Sequence, residues 1–116
     1  MMYYSFESIV ERIVTLNKAW KIAQEDFGAE SMLAKSLRDQ KSSWQATLLR
    51  EFSEKVSIKV DTENSTAVDV LLSVRLKHPV HLSDGTVKND AEHLPLRIAK
   101  DILHEHEIQS LIAKHT

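Results

Sequence analysis

The chain has no cysteine, two glycines, two prolines, seven aromatic residues among 116 and no long hydrophobic run. Each shortage removes a class of protein. Without cysteine there are no disulfides, no thiolate metal sites and no cysteine nucleophile, as suits a reducing compartment. The two glycines, Gly28 and Gly85, stand in no phosphate-loop, dinucleotide or Gly-x-Ser-x-Gly context. So little glycine and proline leaves small scope for linkers or disordered tails. No apolar stretch approaches the roughly 20 residues of a membrane span, and Met1 to Glu7 lacks the basic-then-apolar profile of a signal peptide. The expectation is one soluble, cytoplasmic domain over residues 1–116, with no membrane partner.

Charge of one sign is also missing. The formal net charge is −2 with histidines neutral, so no global field draws the chain to nucleic acid. Lys35, Arg38, Lys41 and Arg50 alternate with Glu30, Asp39, Glu51 and Glu54, which reads as a solvated helix face and argues against nucleic acid as a partner. A helix-turn-helix drawn through Leu96 to Lys114 would place Glu105 and Glu107 in its recognition segment, against a phosphate backbone.

What the chain does have is periodicity. Phe6, Ile9, Val10, Ile13, Leu16, Ala19, Trp20 and Ala23 recur at helical spacing behind Ser5, a natural N-cap, and Gly28 follows where a helix would end. Met32, Leu33, Leu37, Trp44, Leu48, Leu49 and Phe52 mark a second helical stretch. The polar run 38–43 makes it one long helix with a wet middle or two helices, and one long or gently kinked helix is the better reading.

The period then falls to two. Val56, Ile58 and Val60, and later Val68 to Leu76, alternate with polar residues as half-buried strands, and 62–65 offers a turn between them. A shorter strand pair at 80–82 and 86–88 fits around Ser83-Asp84-Gly85, with Pro79 restricting it to an edge. Asn89 or Asp90 could open a C-terminal helix with Pro95 in a first turn. Its apolar clusters, at 96–103 and 108–112, point to opposite sides of a straight helix, so a bend near His104 to Glu107 is expected.

These elements predict an α+β fold: N-terminal amphipathic helices (helical part 5–55) packed on a small antiparallel β-hairpin sheet (56–88), then a C-terminal helix or bent helix pair (90–115). Such a small sheet has an edge to cover, and a second copy of the chain is a natural cover.

All six histidines follow residue 77. His78-Pro79-Val80-His81 together with His93 supplies imidazoles of the kind that bind zinc, nickel or copper. On a strand, however, positions three apart face opposite sides of the sheet, and no His-Glu-x-x-His signature is present. Trp20, Trp44, Phe6, Phe27 and Phe52 lie on apolar stripes and are assigned to the core. As interface anchors the candidates are Tyr3, Tyr4, Trp20 and Trp44.

No catalytic residue and no cofactor can be nominated. The reading that results is a small non-enzymatic protein-interaction module, a regulator, inhibitor or immunity-type binder, acting as a homodimer or on another protein. The alternatives are a small hydrolase or metal-dependent enzyme using His78, His81 and His93, and a DNA-binding autoregulator.

Overall fold

The computed structural model describes residues 4–113. Helices α1 (Phe6–Phe27) and α2 (Met32–Glu51) come first, followed by strands β1 (Val56–Val60), β2 (Leu71–His81) and β3 (Val87–Pro95), then helices α3 (Leu96–Ile102) and α4 (Glu105–Ala113). The strands form one antiparallel sheet in the order β1-β2-β3, so the fold is α+β. No helix among the described residues is long and apolar enough to cross a membrane.

Local chemistry explains the helix ends. The Ser5 hydroxyl accepts the Ser8 N–H at 3.1 Å and opens α1. Gly28 closes it, donating its N–H to the Gln24 carbonyl at φ 91°, where a side chain would be strained. Ser31 caps α2 in the same way through the Ala34 N–H. With a connection of four residues, the two helices become antiparallel neighbours. Residues 32–51 form one helix through the polar run.

Phe6, Ile9, Val10, Ile13 and Val14 of α1, with Ala46, Leu48 and Leu49 of α2, are buried against Val56, Ile58, Leu72, Val74, Ala91 and Leu94 of the sheet. Ala99, Leu103, Ile108 and Leu111 close the core from the C-terminal side. The last buried residue of α1 is Ala23. Phe27, expected in the core, is 66% exposed because it stands one turn beyond the part of α1 that the rest of the fold covers.

The sheet departs from expectation in three places. β2 begins at Leu71, and Val68 is 95% exposed. β1 ends at Val60, paired with Leu72, and the chain then turns on the Asp61 carboxylate, which accepts the Glu63 and Asn64 N–H groups. The alternating residues before Leu71 therefore have no strand to pair with. β2 also runs on through Pro79 to His81. Between the pairs Arg75/Asp90 and Val80/Lys88, four residues of β2 stand opposite Asn89 alone, and this bulge accommodates the proline.

The third departure is β3, which occupies the residues read as a helix start. Between the pairs Ser73/His93 and Arg75/Asp90, Ala91 and Glu92 stand opposite Val74 alone. Glu92 absorbs the extra residue at φ 65°. Ala91 and Leu94 are consequently both buried although three positions apart, so no period of two was present to be read.

The expected bend falls at Leu103, whose backbone is extended, and at His104. Glu107 fixes it. Its carboxylate accepts the His104 N–H at 2.8 Å, half of a capping box, and takes a two-pronged bond from Arg50 of α2 at 2.9 and 3.1 Å. Arg50 also donates to the Ile102 carbonyl at 2.8 Å. The guanidinium and the His104 amide hold the Glu107 carboxyl down at about 2. Arg50→Ala is expected to speed hydrogen exchange of the α4 amides several-fold while leaving α1 amides unchanged. Uniform acceleration in both helices would mean that α4 is not held separately by this contact.

Candidate functional site

Read along α2, the inward stripe is Ala34, Arg38, Lys41, Gln45 and Leu48, at spacings of three and four. The polar residues therefore interrupt the apolar composition of the helix but not its phase. Lys41, Ser42 and Gln45 are buried, with Lys41 only 3% exposed. The expectation of a solvated Lys41 is overturned: it lies on the side of the helix that faces α1. There the residue one turn after Ile13 is Asn17, also buried, whose Oδ1 accepts the Lys41 ammonium at 3.1 Å. The ammonium sits 4.6 Å from the centre of the Trp20 ring, a cation–π contact.

The Lys41 ammonium has no carboxylate within 4.0 Å among the described residues. Burial lowers its pKa from 10.5 to about 8. The nearby Glu92 charge opposes that shift, and Lys21 and Arg38 add to it. Four residues on, the Gln45 amide donates to the Ala91 and His93 carbonyls at 2.9 and 3.1 Å, tying α2 to the β3 bulge. The Arg38 Nε and Gln45 Oε1 atoms are buried without a hydrogen-bond partner. A polar layer thus runs between α1, α2 and β3.

Beside this layer opens a cavity of about 580 Å³. Its wall includes Lys21, Arg38, Lys41 and Arg97 on the basic side and Glu30 and Asp69 on the acidic side, with the Trp20 indole among its apolar surfaces. Both acids are engaged with cations: Glu30 meets Lys35 at 3.0 Å and Asp69 meets Arg97 at 3.6 Å. His93 borders the same cavity and contacts Asp61 at 2.6 Å through Nε2. The Asn64 side chain, and after it His93, hold the Asp61 carboxyl down at about 2.

Comparison with known proteins is negative: no family model, no curated protein and no solved structure matches this chain.

The histidines named from sequence occupy separate places. His78 and His81 are exposed and line a cleft of about 320 Å³ with Phe6 and Lys55. His93 lies six positions along β3 from Val87, the partner of His81, which at strand rise is a separation of about 20 Å. No group of three His, Cys, Asp or Glu side chains placed to hold a metal ion occurs among the described residues.

Of the aromatic candidates, Tyr3 lies outside the described residues. Tyr4 packs edge-on against Trp44 with ring centres 4.9 Å apart, and the Arg12 guanidinium lies over both rings. Both rings are half-buried against the core. Trp20 is half-buried in the cavity wall. Lys41, Arg38 and Asn17 were missed as site residues, although their spacing offered the signal: a lysine, an arginine and an asparagine in phase with apolar neighbours on inward stripes.

Proposed function

We propose that this chain is a non-enzymatic interaction module that pairs with a second copy of itself through the tip of the α1–α2 hairpin. The observation that carries the reading is the apolar surface left at that tip: Ile22 is 59% exposed, Phe27 66%, Met32 88% and Leu33 50%. Phe27, Met32 and Leu33 flank the four-residue connection and Ile22 lies further back along α1, a local concentration of exposed apolar residues of the kind found at contact surfaces.

Charge around the tip favours a second copy as the occupant. Lys21 and Lys35 stand among Glu25, Asp26 and Glu30, so a two-fold axis would bring basic and acidic residues of opposite copies together. A strongly acidic or basic rim would have favoured a partner of opposite charge instead.

Sedimentation velocity decides the matter. The wild type is expected to show a concentration-dependent dimer with a dissociation constant in the ~1–100 µM range of weak, specific contacts. Phe27→Ser combined with Met32→Ser is expected to give a monomer with an unchanged circular dichroism spectrum, because both positions are exposed. A wild type that stays monomeric throughout that range, or a double variant that dimerises equally well, would remove the reading.

A further inference from the structure

We propose that the cavity between α1, α2, the 61–70 connection and the end of β3 is a binding site for an organic anion, a carboxylate or phosphomonoester carrying a flat or apolar body. It is walled within a single copy and is read by a different measurement from pairing, while Lys21, Ala29 and Glu30 lie both at the cavity and at the hairpin tip.

The first ground is a charge imbalance that the protein's own residues leave in place. Of the charged residues that border the cavity, Arg97 is matched by Asp69, and Glu30 is matched by Lys35. This leaves Lys21, Arg38 and Lys41 as its unmatched cations, with the Glu92 carboxylate acting on Lys41 from more than 4.0 Å away. Lys21 has no ion-pair partner among the described residues, and Arg38 reaches only its neighbour Asp39, at 3.6 Å.

The second ground is unmet bonding. A buried ammonium ordinarily has a carboxylate beside it, because removal from water is costly without one. Lys41 has instead one amide oxygen and the face of an indole. The buried Arg38 Nε has no acceptor at all. An oxyanion contributed by a ligand would supply acceptors to the Lys41 ammonium and to the part of the Arg38 guanidinium that lines the cavity, through charge-assisted hydrogen bonds. The Lys41 pKa of about 8 keeps the amine largely protonated at neutral pH, so the charge is available to such a ligand.

The third ground is volume. A space of about 580 Å³ falls in the range of small-molecule pockets, ~300–1,000 Å³, and exceeds what inorganic phosphate alone would fill. Trp20, Leu71 and Pro95 supply the apolar wall. The Trp20 indole, which carries the Lys41 ammonium on one face, also borders the cavity, and this wall selects a ligand with an anionic head and a flat or apolar body over a bare ion.

Phenyl phosphate, benzoate and inorganic phosphate are the probes, each titrated into protein whose tryptophan indole N–H signals are followed by NMR. Phenyl phosphate or benzoate is expected to shift the Trp20 signal saturably, with an affinity at least severalfold above that of inorganic phosphate. The Trp44 signal serves as the internal reference. Arg38→Gln and Lys41→Met, tested separately so that one variant remains if the other fails to fold, are each expected to weaken binding by about tenfold or more, the loss of one charge-assisted contact. Lys100→Met, an exposed change on the far part of α3, is expected to bind as the wild type does. Preference between the two aromatic probes tells carboxylate from phosphate. Absence of saturable shifts at Trp20 up to ~10 mM of every probe, or binding unaltered in both Arg38→Gln and Lys41→Met, would overturn the proposal. Equal binding of inorganic phosphate and phenyl phosphate would overturn the part that concerns the organic body.

Discussion

Replacing Leu48 by alanine is expected to cost about 3 kcal/mol of folding stability and to lower the melting temperature by roughly 10–20 °C. Leu48 is fully buried on α2, in the core shared by the helices and the sheet. Three heavy atoms would leave a void that the surrounding branched side chains of two layers cannot easily fill. The matched control is Leu33→Ala, measured at protein concentrations well below the dimer's dissociation constant because Leu33 belongs to the proposed contact. The same chemical change at a half-exposed position of the hairpin tip should cost within about 0.5 kcal/mol of nothing. Urea denaturation of the two variants checks the contrast. If Leu48→Ala lost less than ~1 kcal/mol, or Leu33→Ala lost as much as Leu48→Ala, the burial described for α2 would be wrong.

Stability is expected to rise with pH on the alkaline side, on account of Lys41. Its pKa is about 8 in the fold against 10.5 for a free lysine side chain, chiefly because burial penalises the charged amine. Below about pH 8 the amine is charged in both states and the burial cost is fully felt. Between that value and 10.5 the unfolded chain holds a proton that the folded chain has released. Stability therefore increases across this window, by something on the order of 2–3 kcal/mol if Lys41 acts alone. Three charged neighbours set the size: Glu92 on β3 holds the proton on, while Lys21 on α1 and Arg38 one turn away on α2 help to expel it. Urea midpoints measured from ~pH 7 to ~pH 10 should climb in the wild type and stay level in Lys41→Met, which has no proton to release. An equal climb in Lys41→Met would assign the effect to other groups. A flat wild-type profile would place the ammonium in water.

The histidines offer a contrast. Their gathering after residue 77 drew attention to metal binding, yet four of the five described histidines, His78, His81, His104 and His106, are exposed, and His93 is half-buried beside Asp61. The chemically loaded site is instead the Asn17, Trp20, Arg38 and Lys41 group. In the sequence these residues looked like an unremarkable part of two amphipathic helices.

The elements whose ends are set by neighbours in the chain were legible without the fold. Ser5 and Gly28 bound α1 through contacts with Ser8 and Gln24, within four residues of each. Ser83-Asp84-Gly85 makes its turn through Leu82, Asp84 and Thr86, and the phase change between Leu103 and Ile108 breaks the last helix where expected. The rest was decided between elements distant in sequence. Asn89 and Asp90 carry helix-opening chemistry, but β2 was there to pair with them, and a bulge at Glu92 erased the alternation that would have announced a strand. Phe27 and Phe6 lie on similar apolar helix segments, yet only Phe6 is covered by the rest of the fold. Lys41 belonged to a stripe whose phase pointed inward and whose charge pointed outward. Its burial became tolerable only when folding set Asn17 and Trp20, more than twenty residues upstream, against its ammonium. Periodicity tells which residues share a face of a helix. What covers that face depends on partners brought together by the tertiary structure, and at Lys41 those partners supply an amide and a ring in contact, with the Glu92 carboxylate more than 4.0 Å away.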